Sequence, residues 1–230
     1  MEYKKPRVTL ISHTPNPEEN IALAARMCYS SREVARLREE LTEEEISDLV
    51  ELLLDKGHHS VLEMASFSFA IEGISRVTSH QLVRHRIGCS YAQKSQRYLQ
   101  ENDFSYIIPE RVDKSEQALE VYREQMEQSQ RAYNRLLKMG IHHEEARYLL
   151  PSAVETKIFI TMNARALHHF FKLRCCLRSQ QEIRELAIEL RRQVRQVAPR
   201  LFKQAGAPCE TSGHCPEGDY SCGRLEEDDS

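Results

Sequence analysis

The sequence predicts an α+β (or α/β-type) domain in which a small sheet is covered by long helices. Three observations predict it. Runs with strand patterning are few and are separated by long helical ones. Residues 65–71 alternate, with Phe67, Phe69 and Ile71 on one face and Ser66, Ser68 and Ala70 on the other. At 230 residues, 40% hydrophobic and 29% charged, the chain can bury a real core, which excludes disorder and fibrous repeats. No apolar run approaches the ~20 residues of a membrane helix, and Met1 to Pro6 carry no apolar core of a signal peptide. A soluble, cytoplasmic protein without membrane contact is expected.

Val8 to Ser12 reads as a strand. Asn16 ahead of Pro17, Glu18 and Glu19 predicts an N-cap with proline at the first helical position and acids at the positive dipole end, opening a helix to about Tyr29. Thr42 with Glu45 forms a capping box before Ile46, Leu49, Val50, Leu53 and Leu54, and Gly57 closes that helix. Ser75 to about His85 is expected to be helical, because Val77, Gln81 and Arg84 recur at helical spacing and no breaker intervenes. The stretch after Gly88 reads as a loop rich in hydrogen-bond donors. Phe104 to Ile108 reads as a strand stopped by Pro109. Leu119, Tyr122, Met126, Tyr133, Leu136 and Leu137 form the stripe of a long helix ending at Gly140. A short helix, His142 to Leu150, stops at Pro151. Lys157 to Met162 reads as a strand, and Ala164 to Leu173 and Gln181 to about Phe202 as helices. Seven cysteines are an odd number, and Cys28, Cys89, Cys175 and Cys176 lie in ordinary patterned regions, so reduced thiols are expected rather than a disulfide framework.

The net charge of −3 is unevenly spread. From residue 201 onward two cations (Lys203, Arg224) face seven acids (Glu210, Glu217, Asp219, Glu226, Glu227, Asp228, Asp229), a local balance of −5 that leaves +2 for the body. Within the body, Gly73 to Gln100 has no acid but holds Arg76, Arg84, Arg86, Lys94 and Arg97. Thr156 to Gln181 likewise holds Lys157, Arg165, Lys172, Arg174 and Arg178. Uncompensated guanidinium groups repel one another unless an anion sits among them, so these segments point to pockets for phosphates or carboxylates. A solvated basic surface is the alternative.

The chemistry concentrates in Arg84-His85-Arg86, followed by Ser90, Tyr91, Gln93, Ser95, Gln96, Arg97 and Tyr98. Hydroxyls, amides and guanidinium forks of this kind suit a nucleotide phosphate and a base edge. The pattern resembles the flavin-dependent thymidylate synthases, whose signature is Arg-His-Arg, a spacer, Ser, then Arg-Tyr. The resemblance runs from about Ile21 to Leu201. His58, Ser60 and Glu63 match a Gly-His-x-Ser/Thr-x-x-Glu segment, and Gln81 matches a glutamine three before the first arginine. Arg147 matches Ala-Arg-x-x-Leu-Pro, Asn163 and Arg165 match Asn-Ala-Arg, and Leu173-Arg174 match Leu-Arg. Two departures stand out. The spacer from Arg86 to Ser95 is longer by one residue than the common form, and Gln181 stands where the family often has Trp.

The resemblance implies a mostly antiparallel central sheet in a single domain (1–205, followed by a Cys/His-containing acidic tail, 206–230) that assembles as a homotetramer with shared active sites. It implies reductive methylation of deoxyuridylate (dUMP) to thymidylate (dTMP), with 5,10-methylenetetrahydrofolate as carbon donor and FAD carrying hydride from NADPH. It assigns Arg84, His85, Arg86, Ser60, Asn163, Arg165 and His169 to the FAD site. Gln81, Gln93, Ser95, Arg97, Arg147 and Arg174 go to the nucleotide, with Arg97 on the phosphate and Arg174 against the pyrimidine. The catalytic set is Arg174, Ser95 and His58, His58 lying near flavin and folate. No dedicated base accompanies Ser95 in the sequence, so it reads as a donor to the nucleotide rather than a nucleophile.

Two other classes use the same residues. The pairs His58-His59, His142-His143 and His168-His169 resemble pieces of a metal-dependent nucleotide hydrolase, yet none has the i, i+4 spacing of a helical zinc pair. A nucleic-acid binder would use the basic segments, but no binding module is recognisable and +2 is a modest charge for holding a phosphate backbone, so no nucleic-acid partner is expected. In the tail, Cys209, His214, Cys215 and Cys222 are a weak metal-ligand candidate, spaced more widely than a zinc knuckle. No metal is otherwise expected.

Overall fold

The computed structural model describes residues 5–227. The first four residues and 228–230, with Asp228 and Asp229 of the acidic tail, lie outside them. Four strands, β1 (Arg7–His13), β2 (Ser66–Ser75), β3 (Cys89–Gln93) and β4 (Glu155–Asn163), form one sheet in the order β1-β2-β4-β3. Every neighbouring pair is antiparallel. Arg76 N–H donates to Val154 O and Ala164 N–H to Ala65 O at the two ends of the β2/β4 pair. Lys94 N–H to Lys157 O and Asn163 N–H to Gly88 O bracket β3/β4. The helices are α1 (Pro17–Met27), α2 (Val34–Glu39), α3 (Glu43–Asp55), α4 (Arg76–Leu82), α5 (Glu110–Asp113), α6 (Glu116–Lys138), α7 (His143–Ala146), α8 (Ala164–Arg174) and α9 (Gln181–Val197), followed by α10 (Pro208–Thr211) and α11 (Arg224–Glu227). The expected α+β class and antiparallel sheet are what is observed.

The chain divides into two compact units, and β2 and β4 run through both. One comprises Ala70–Arg84 and Tyr91–Phe159, together with the start of β1. There Phe104, Met126 and Val154 are buried among Tyr106, Tyr122 and Leu150, so that α6 covers the 104–108 segment. The other comprises Val8–Phe69, His85–Ser90 and, of the described residues, 160–227. Its core is aromatic. Phe67, with no exposed surface, meets the Phe202 ring edge-on at 5.4 Å, Phe171 meets the same ring at 6.1 Å, and His168 stacks on it at 5.1 Å. The alternation of Phe67, Phe69 and Ile71 is thus the buried face of β2.

Several boundaries differ from the sequence expectation, each for a local reason. The Thr42–Glu45 capping box forms with both reciprocal bonds, but Asn16 does not cap α1. Its backbone is left-handed (φ 43°), and its amide donates instead to the Glu19 carboxylate at 2.9 Å. The helix expected over 75–85 ends at Leu82, whose carbonyl is taken by the Tyr91 hydroxyl at 3.0 Å. The stretch expected to be a loop after Gly88 is β3, paired to β4. Phe104 to Ile108 is not a strand but a single bridge, Tyr106 to Val154, because Phe104 N–H goes to the Gln130 side chain at 2.7 Å and Ile107 O to the Tyr122 hydroxyl at 2.8 Å. The expected helix 142–150 breaks into α7 and a 3₁₀ turn (Arg147–Leu149), since the Arg147 guanidinium takes the Glu144 carbonyl that a continuing helix would use. Helix α9 stops at Val197 because Pro199 drives Ala198 out of helical geometry (φ −136°, ψ 71°). All seven cysteines are free.

Candidate active site

Three clusters gather the expected residues. In the first, the turn after α3 and the 3₁₀ helix His59–Met64 place His58 and Ser60 on a cavity of about 460 Å³ whose wall also holds Arg165, from the first turn of α8, with Tyr29 and Leu53. Arg165 Nη1 lies 2.6 Å from a Glu63 carboxylate oxygen. Glu63 thereby orients the guanidinium, whose remaining N–H groups stay available to an anionic ligand.

The second cluster surrounds His85. The ring is buried, edge-on to Phe170 at 4.9 Å and to His169 at 6.0 Å. Arg174, at the end of α8, donates from Nε to His85 Nε2 at 3.1 Å. Burial first, and then the neighbouring Arg174 and His169, push the His85 pKa down to about 4. The ring is therefore neutral at pH 7 with its proton on Nδ1. Arg84 and Arg86 on either side are exposed, with no acid among the described residues within ion-pair distance. Gly88 follows with φ +70°, and a Cβ there would come 2.5 Å from the Asn163 amide. That close approach lets Asn163 receive Ala166 N–H at 2.8 Å and cap α8. Asn163 thus has a structural duty that the sequence did not signal.

In the third cluster β3 and α7 bring together Gln93, Ser95, Arg97 and Arg147. Arg97 Nε lies 2.7 Å from Glu144, and Arg147 Nε donates to the Glu144 carbonyl at 3.0 Å. One residue therefore contacts both arginines at their Nε atoms, and the Arg97 guanidinium also lies over the Tyr98 ring at 5.7 Å. Ser95 Oγ accepts from Arg97 N–H at 3.2 Å, and no base accompanies it among the described residues. Gln93 Nε2 donates to Ser79 and Thr156. Arg76 bonds to the Lys94 carbonyl, and burial together with the nearby Arg147 lowers its pKa. Gln81 lies half-buried on α4.

Sequence reasoning missed Glu63, Glu101 and Glu144 as partners: Glu63 and Glu144 are remote in sequence from the arginines they serve, and Glu101 lies just past the end of the segment that holds Lys94. Lys94 pairs with buried Glu101 at 2.7 Å, Arg97 with Glu144, Arg165 with Glu63 and Arg178 with Glu217. The acid-free segments are therefore only partly uncompensated. Ser79 and Thr156 carried no signal. Of the tail candidates, Cys209, His214, Cys215 and Cys222 are not brought together; among the described residues no group of three or more His, Cys, Asp or Glu could hold a metal ion. The tail is instead tied through Glu210 to Arg191 at 2.6 Å and to Arg224 at 2.9 Å, and through the Tyr220 carbonyl to Arg178. No helix among the described residues is long and apolar enough to cross a membrane.

The polar clusters of this antiparallel α+β fold are built largely from guanidinium groups, amides and histidines. Residues 9–200 match the family described as thymidylate synthase complementing protein, and the chain belongs to that family. It is similar to proteins named flavin-dependent thymidylate synthase from Geobacter sulfurreducens (49% identical over 223 residues, covering 96% of this chain and 95% of the relative) and Clostridium tetani (45% over 237 residues, 96% and 94%). A third such relative is that of Pyrococcus abyssi (42% over 219 residues, 92% and 89%).

Proposed function

We propose that this chain is an FAD-dependent thymidylate synthase that methylates deoxyuridylate reductively, taking the carbon from 5,10-methylenetetrahydrofolate and the hydride, through FAD, from NADPH, and releasing tetrahydrofolate. Family membership and the naming of its relatives support thymidylate synthesis and a flavin. The observation that carries the finer reading is the Arg97–Glu144–Arg147 arrangement, two guanidinium groups anchored on one residue, a concentration of positive charge that suits one anion.

In this reading Arg97 and Arg147 hold the nucleotide phosphate, with Ser95, Gln81 and Gln93 as further hydrogen-bonding groups. The residues assigned to FAD fit an anionic, aromatic group in their donor chemistry: Arg84 and Arg86 are exposed cations, and Arg165 with Ser60 lines a cavity. His85, His169 and Asn163 complete that set, and His58 on the same cavity faces flavin and folate. When bound, FAD supplies the hydride. Arg174 carries the electrostatic part of the catalysis, donating to the pyrimidine carbonyl oxygen where enolate charge develops. Neutral His85 accepts from Arg174 Nε without adding a competing positive charge, and so aims the guanidinium. We further infer a catalytic domain over 1–205 with a tail over 206–230, a cytoplasmic location, and a homotetramer with shared active sites.

A visible spectrum of the purified oligomer, recorded before and after adding FAD, dUMP and NADPH, tests the reading. A bound-flavin spectrum that bleaches with NADPH, with dTMP appearing once the folate is added, is expected. An oligomer that binds no flavin would overturn it.

A further inference from the structure

We propose that Ser79 and Thr156 are positioning residues that lock the Gln93 carboxamide in one orientation, so that its Oε1 is presented as a hydrogen-bond acceptor to a donor on the nucleotide. This rests on the placement of Gln93 in the nucleotide site and specifies what that residue reads.

Proton counting fixes the orientation. Ser79 lies in α4 with no exposed surface, and its hydroxyl donates to the Arg76 carbonyl at 3.1 Å. A hydroxyl has one proton, so towards Gln93 the Ser79 oxygen can only accept. The Gln93 atom 2.9 Å from it must therefore be Nε2. The second amide hydrogen reaches Thr156 Oγ1 at 3.2 Å, on the buried side of β4. Rotating the amide by half a turn would set two acceptors against each other at Ser79 and remove that buried bond. Both donors being spent on the protein, Oε1 is left without a hydrogen-bond partner among the described residues. Gln93 is half-buried and sits two residues before Ser95 and four before Arg97. A locked acceptor there selects a ligand donor, either a sugar hydroxyl or the imide N–H of a uracil ring, and rejects a ligand acceptor at the same point.

The test is calorimetric titration of dUMP into the FAD-loaded oligomer of wild type, Ser79→Ala, Thr156→Val, Gln93→Leu and the double variants pairing Gln93→Leu with each of the other two. Ser79→Ala and Thr156→Val are each expected to weaken dUMP binding by about tenfold, with FAD content and the thermal midpoint unchanged. In the Gln93→Leu background neither is expected to weaken it further. Analogues distinguish the two donors. Whichever of 3′-deoxy or N3-methyl dUMP lacks the relevant donor will bind wild type and Ser79→Ala equally weakly. Equal losses in both backgrounds, or wild-type affinity in both Ser79→Ala and Thr156→Val, would overturn the proposal while leaving the activity intact. A wild-type protein that binds FAD but no dUMP would instead overturn the functional reading beneath it.

Discussion

Arg174 donates from Nε to the Nε2 atom of His85 at 3.1 Å, which makes a buried neutral imidazole the rest on which a guanidinium is held. Because His85 Nε2 accepts this bond, the proton of the neutral ring sits on Nδ1, which fixes the tautomer. Arg174→Ala is expected to lower kcat by about 100-fold or more, the scale of removing a donor aimed at developing charge, while leaving FAD content near wild type. Single-turnover kinetics alongside the flavin spectrum measure both. In the same variant the His85 pKa should rise from about 4, since the nearby positive charge is the second cause of its depression; an NMR titration that finds it unmoved would contradict the geometry.

Arg97→Lys is not a conservative change. Lysine has no Nε fork to divide between Glu144 and a phosphate, so the anchored arrangement is lost even though the charge remains. Binding of dUMP is expected to weaken by about tenfold or more. Isothermal titration of the FAD-loaded protein measures this, and equal affinity would place the phosphate elsewhere.

Gly88→Ala combines two penalties. The backbone φ of +70° is unfavourable for a side chain, and the new Cβ would meet the Asn163 amide at 2.5 Å. A loss of about 1–3 kcal/mol is expected, together with a weakened N-cap on α8. Thermal melting and flavin retention report it. A variant with an unchanged midpoint and full FAD content would mean that the turn relaxes freely.

The acid limb of the stability profile should carry the signature of His168. Burial depresses its pKa to about 4, whereas its ring nitrogen bonds to the Leu201 carbonyl at 2.9 Å and opposes that shift. A histidine kept neutral in the fold and ordinary when unfolded takes up its proton first in the unfolded chain. Its contribution is therefore present above about pH 6.5 and is lost as pH falls from there towards about 4. Denaturant melts between pH 7 and pH 4.5 should show stability falling, with a shallower fall in His168→Gln. His85, also depressed to about 4, acts in the same direction, so the slope should flatten and not vanish.

Truncating Phe67 tests the aromatic core. Phe67→Ala is expected to cost about 3–5 kcal/mol, since the ring is fully buried and packs edge-on against Phe202. Urea denaturation measures it, and a loss below about 1 kcal/mol would mean that the core collapses into the space.

The sequence alone determined the elements whose signals are local. The alternation through Phe67, Phe69 and Ile71, the Thr42–Glu45 box and the stripe ending at Gly140 each depend on residues within a few positions of one another, and each appears in the structure. The ordered motifs around His58, Arg84-His85-Arg86, Arg97, Arg147, Asn163 and Arg174 likewise located the family from sequence. Tertiary structure decided what depends on partners far along the chain. Strand β3 exists because β4 pairs with it, and the 104–108 segment is only a bridge because Gln130 and Tyr122 take its polar groups. The acids that hold Arg97 and Arg165 are also remote: Glu144 is 47 positions after Arg97, and Glu63 is 102 before Arg165. Ser79 and Thr156, 14 and 63 residues from Gln93, carry no motif at all. A hydrogen bond needs two groups at one point in space, and sequence spacing specifies that point only where a single helix turn or strand pleat connects them.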